Sequence, residues 1–90
     1  MKCVVLYHPS DDVMSKAPAH FPAHVAHYEP FTANGTLLMI GTFAEIQSQG
    51  AMAIFTSREA AEAFIKDDPF VVHGVVQDVE LRDWDEMLVP

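Results

Sequence analysis

The stretch GTLLMIGTFAEIQSQGAMAIFT, residues 35–56, decides how the chain folds. Thr36 to Phe43 is apolar at nearly every position and reads as a strand buried on both faces. Ala51 to Thr56 reads as its partner, and Ala44 to Gly50, rich in Gln and Ser, reads as the connecting loop. Ser57 then caps a helix whose apolar stripe is Ala60, Ala61, Phe64 and Ile65. Pro69 ends that helix, because the residue before a proline is pushed out of helical geometry.

The same reading extends outward. Upstream, a helix stops at Asn34-Gly35, with Pro18 and Pro22 at its start and Pro30 expected to kink it. Ser10 to Ser15 reads as a polar loop, and Cys3 to Tyr7 before it as a buried strand. Downstream, a last strand runs from about Val75 to Arg82. Val75, Val79 and Leu81 are on one face, and Asp78, Glu80 and Arg82 on the other, a half-polar pattern that suits a sheet edge. A tail, Asp85 to Pro90, follows Trp84, which is expected to anchor it.

The order is β-α-β-β-α-β, the signature of a ferredoxin-like α+β fold, as one domain over residues 1–90. Right-handed crossovers put both helices on one face of an antiparallel sheet. The doubly apolar strand Thr36 to Phe43 then needs cover on its second face, and a second copy of the chain is the simplest cover. Half of the residues are hydrophobic, a large share for a chain of 90, which also points to a homodimer.

The charge balance excludes partners. A net charge of −8 with only five Lys and Arg argues against nucleic acid and against an anionic membrane surface. No run approaches the ~20 apolar residues of a membrane span. Cys3, the single cysteine, cannot form an internal disulfide and reads as a small core residue. The expected compartment is the cytoplasm.

At about 100° per residue, Phe21, Val25, Tyr28 and Phe31 share one side of the first helix, and His24 falls among them. A buried imidazole needs a hydrogen-bond partner. In this topology the first helix starts, and the second ends, at the same end of the sheet. His24 and Asp68 are therefore expected to meet there, with His8, Gly41-Thr42 and His73-Gly74 around them. A carboxylate beside an imidazole fixes its tautomer, and such a pair can act as a general acid or base. Tyr28 and Phe70 could line an aromatic-binding pocket, though core packing is the favoured reading of both. Gly41 and Gly74 fit strand ends where the backbone passes close to another group.

His20, His24 and His27 could share a helix face and bind metal, or His8, His73 and Asp68 could join His24. No HExxH or paired-cysteine motif supports either arrangement, so no metal is assigned. No phosphate-binding glycine loop is present, and no cofactor is expected.

The segment PAHVAHYEPFTANGTLLMIGTF (22–43), followed by SREAAEAFIKDDPFVVHGVV (57–76), resembles the YCII-related family. The resemblance rests on His24, on Gly-x-Leu-Leu-x-x-Gly from Gly35 to Gly41, and on Asp68-Pro69-Phe70 with Gly74. It implies a dimeric α+β barrel of two face-to-face sheets and an active-site His and Asp, here His24 and Asp68. It further implies a cofactor-independent proton transfer, of lyase, dehydrochlorinase or isomerase type, on a small organic molecule. The alternative is a non-catalytic binder of a small ligand. Where the family often carries an Arg shortly before the helix histidine, this chain has His20 and Phe21.

Overall fold

Four strands form one antiparallel sheet in a computed structural model that describes residues 1–89. The final residue of the expected tail, Pro90, lies outside the described residues. In chain order the elements are β1 (Lys2–Pro9), α1 (Val13–Ala33), β2 (Leu37–Thr42), α2 (Ile46–Gln49), β3 (Ala51–Phe55), α3 (Arg58–Asp67), α4 (Pro69–Val72) and β4 (Val76–Trp84). The strand order is β2-β3-β1-β4, which makes β2 and β4 the edges and seats β1 inside. This is the ferredoxin-like α+β arrangement, with two single-turn helices, α2 and α4, added to it.

Strand alternation divides the sheet into two unlike faces. Cys3, Val5 and Tyr7 of β1 point to the helical layer and are buried with Phe55, Ala61 and Phe64. Val79 and Leu81 stand opposite Tyr7 and Val5 on that same face. Val4, Leu6 and His8 point the other way, beside Ile54, Met52, Arg82, Glu80 and Asp78 in register. Met39 and Trp84 belong to this second face by register and are 66% and 44% exposed. On this second, more open face Ile54 alone is buried.

The helix α1 begins at Val13, five residues before Pro18, so much of the expected loop Ser10–Ser15 is already helical. Pro18, Pro22 and Pro30 all lie inside α1, which continues to Ala33. Their four-residue spacing, with Ala26 between, puts the prolines on one exposed stripe. Each proline removes one amide donor, and α1 still extends from Val13 to Ala33. Gly35, at φ +81°, then turns the chain into β2. Two expectations about glycines change. A Cβ at Gly41 would meet nothing within 4 Å, and one at Gly74 only the end of Lys16. The close approach is at Gly50, where φ is +74° and a Cβ would stand 1.9 Å from the Tyr7 carbonyl oxygen.

Candidate functional site

The local chemistry of Ser57 to Pro69 delivers Asp68 to the interior. Ser57 Oγ accepts from the Ala60 amide 3.1 Å away and starts α3, and Phe64 is buried one face down. Pro69 holds Asp68 extended (φ −64°, ψ 120°), which ends α3 and opens α4 in one step. Asp68 Oδ1 accepts from the Phe70 amide at 3.0 Å, capping that short turn, and the whole residue is sealed from solvent.

The same oxygen meets the ring of His24. Nδ1 of His24 lies 2.7 Å from Asp68 Oδ1, and both side chains are buried. A carboxylate oxygen can only accept, so Nδ1 carries the hydrogen. Among the described residues Nε2 has no partner. Phe70 stacks on the imidazole at 4.0 Å with 4° between planes. Tyr28 and Phe64 meet it edge-on. The ring therefore has one orientation, fixed by a carboxylate behind and aromatic walls around it.

His24 opens on a chamber of about 290 Å³, shared with Tyr28, Ile40, Gly41 and Thr42 among others. Asp68 does not line it, so any action of Asp68 passes through the ring. A longer cavity of about 530 Å³ adjoins the chamber, running along the first turns of α1. Tyr7, Phe21, Thr42, Ala51, Phe70 and Val76 line both.

Tyr7 is the residue that position along the strand alone fails to mark. Its side chain is 4% exposed and its hydroxyl has no hydrogen-bond partner. Burial, and then the nearby Asp68 charge, push the phenol far above its ordinary range. Asp68 Oδ2 is the other buried polar atom left without a partner among the described residues. The parity of Cys3, Val5 and Tyr7 is the sequence signal that points this phenol inward.

Of the residues expected around His24, the structure gathers Tyr28, Thr42 and Phe70 and leaves two outside. His8 is on the open sheet face, its Nε2 2.7 Å from Glu80 Oε1. Arg82 first, and then His8, hold the Glu80 carboxyl below its usual range. His8 follows Tyr7 by one residue, and a strand sends neighbours to opposite faces. His73 caps α4 at the surface and stacks on His20, ring centroids 4.4 Å apart. The third helix histidine, His27, places Nε2 2.7 Å from the Phe64 carbonyl oxygen. His8, His24 and His27 therefore have separate partners while His20 and His73 stack on each other, and no group of three or more metal-ligating side chains is assembled among the described residues.

The sequence matches the YCII-related domain over residues 1–85. The chain belongs to the YCII-related domain family. Solved structures agree at the level of fold. The 5-chloro-2-hydroxyhydroquinone dehydrochlorinase of Burkholderia phenoliruptrix AC1100, in complex with 2,5-dihydroxybenzoquinone, superposes with a TM-score of 0.78. It is 18% identical, and the match covers 97% of this chain and 96% of that one. A hypothetical Arabidopsis thaliana protein matches with a TM-score of 0.51 at 18% identity, over 99% of this chain and 89% of that one. No curated protein matches the sequence. This YCII-related domain has no helix among its described residues long and apolar enough to cross a membrane.

Proposed function

We propose that this YCII-related domain is a small enzyme that moves a proton with His24, needs no cofactor, and uses Asp68 to orient the ring. The observation that carries this reading is the 2.7 Å contact between His24 Nδ1 and Asp68 Oδ1, with Nε2 left unpartnered in a ring that opens on a cavity. A carboxylate at Nδ1 keeps the hydrogen there and leaves the lone pair of the neutral ring on Nε2. That nitrogen can take a proton from a substrate carbon or hydroxyl. In an elimination, the electron pair so released expels a leaving group such as chloride, and the imidazolium returns its proton to water. In an isomerisation, Nε2 returns the proton to a different carbon of the same substrate. Tyr28, Thr42 and Phe70 line the substrate chamber in this reading.

The likeness in fold to a dehydrochlorinase supports the lyase version. The test is chloride release from 5-chloro-2-hydroxyhydroquinone together with exchange of ring or α protons of cyclic ketones in deuterated water. The wild-type chain is expected to turn over one class, and His24→Ala to lose at least about a hundredfold of that rate. Equal rates in wild type and variant would remove His24 from the chemistry. A tightly held ligand with no turnover of either class would favour the binding protein instead.

The working unit in this proposal is a homodimer, two open sheet faces packed together over Val4, Leu6, Met39 and Met52. The proposed compartment is the cytoplasm. Burial pushes the Cys3 thiol up, consistent with a core residue that takes no part in the chemistry.

A further inference from the structure

The two cavities differ in chemistry, and the difference describes the substrate. The chamber beside His24 is lined by three residues with polar side-chain groups, His24, Tyr28 and Thr42, of which Thr42 also lines the second space. The longer cavity is walled by Val13, Met14, Ala17, Pro18, Ile46 and Val75, beyond the residues it shares with the chamber. No Lys, Arg, Asp or Glu lines either space. Apart from the His24 ring, whose charge is matched by Asp68, an anionic substrate would find no counter-charge there, and taking a carboxylate or phosphate out of water without one is costly. At the mouth, Met14 and Phe21 are 63% and 52% exposed. They are large apolar side chains open to solvent beside an apolar trough, an arrangement that gains from an apolar occupant.

Tyr7 also lines both spaces, with its hydroxyl sealed from solvent and, among the described residues, without a hydrogen-bond partner.

We propose that the substrate is an uncharged molecule with an oxygen-bearing head and an apolar arm. The head sits beside His24, and the arm lies in the trough along the first turns of α1. This deepens the proton-transfer reading and rests on it for the location of the head. The trough acts here in binding and selection.

The experiment is calorimetric titration of the full chain at pH 7.5 with three probes: phenol, 4-butylphenol and 4-butylbenzoate. Each methylene buried in an apolar site adds about 0.8 kcal/mol at most. The expected result is 4-butylphenol binding at least about tenfold tighter than phenol, and at least about tenfold tighter than the benzoate, which must bring a charge into an uncharged cavity. Ala17→Phe, which fills the trough, is expected to remove the advantage of the butyl arm and leave phenol affinity within about threefold, since the head chamber is untouched. Circular dichroism would verify that the variant folds. Equal affinity for phenol and 4-butylphenol would overturn the arm, and benzoate binding as tight as 4-butylphenol would overturn the neutral substrate. These readouts involve no turnover. Selective binding with an unreactive His24 defeats only the proton-transfer reading, and His24-dependent turnover without selectivity defeats only this one.

Discussion

His24 and Asp68 stand 44 residues apart in sequence and 2.7 Å apart in space. The helix α1 starts, and α3 ends, at one end of the sheet, which brings them together, and Pro69 follows the carboxylate as α3 ends. The contact costs Asp68 its hydration, and it regains only two hydrogen bonds, from the ring and from the Phe70 amide. Asp68→Ala is therefore expected to lose about 3 kcal/mol, since it orphans a buried ring nitrogen and uncaps α4. Asp68→Asn keeps an acceptor at the same place and is expected to lose less than half of that. Urea unfolding measures both. A loss under about 0.5 kcal/mol for Asp68→Ala would mean the pair is not holding the two helices together.

Tyr7 makes a prediction about alkali. Its folded phenol ionises far above the ordinary value near 10. Between those limits the unfolded chain has released the proton and the folded chain still holds it. The unfolded state binds fewer protons there, so stability falls as pH rises. The contribution is full below pH 10 and is lost progressively above it. The melting temperature should drop more steeply from pH 10 to 11.5 in the wild type than in Tyr7→Phe, whose curve lacks that term. Parallel curves for the two would contradict the buried phenol.

Glycine substitutions separate backbone need from sequence pattern. Gly50→Ala would drive a Cβ into the Tyr7 carbonyl oxygen at a positive φ, where β1 and the end of α2 pass each other. It should cost at least about 3 kcal/mol or prevent folding. Gly41→Ala, in open space, should change stability by less than about 1 kcal/mol. Thermal melts of both would show it, and similar losses at the two positions would contradict the register of β1 with β3.

The open face predicts self-association. Sedimentation at micromolar concentration should show a species of twice the 10.0 kDa chain. Leu6→Glu, which buries charge at the centre of the proposed contact, should return it to single chains. A wild type sedimenting only as a single chain would rule out the face-to-face barrel.

Fold and site were legible to different depths. The element order follows from apolar periods and turn signals, because these act over a few residues. The meeting of His24 with Asp68 follows from helix period and topology together. What failed was anything decided by a single step of strand parity or by where a helix starts. His8 lies at the expected strand end but one residue out of phase with Tyr7, so the two point to opposite faces. His73 enters β4 through the extra turn α4, which leaves it at the surface against His20. Pro18 and Pro22 look like a helix start, yet both lie inside α1, which begins earlier, at Val13. Tyr7 passes for one more apolar strand residue until its orphaned hydroxyl is seen.

The most direct measurement is the nitrogen-15 spectrum of the His24 ring, followed by pH titration with and without 4-butylphenol. A ring poised to move protons shows the hydrogen on Nδ1, a bare Nε2 that titrates, and signals that shift when the ligand is added. A ring with its hydrogen on Nε2, or one silent to both acid and ligand, would make the contact with Asp68 a strut between helices and nothing more.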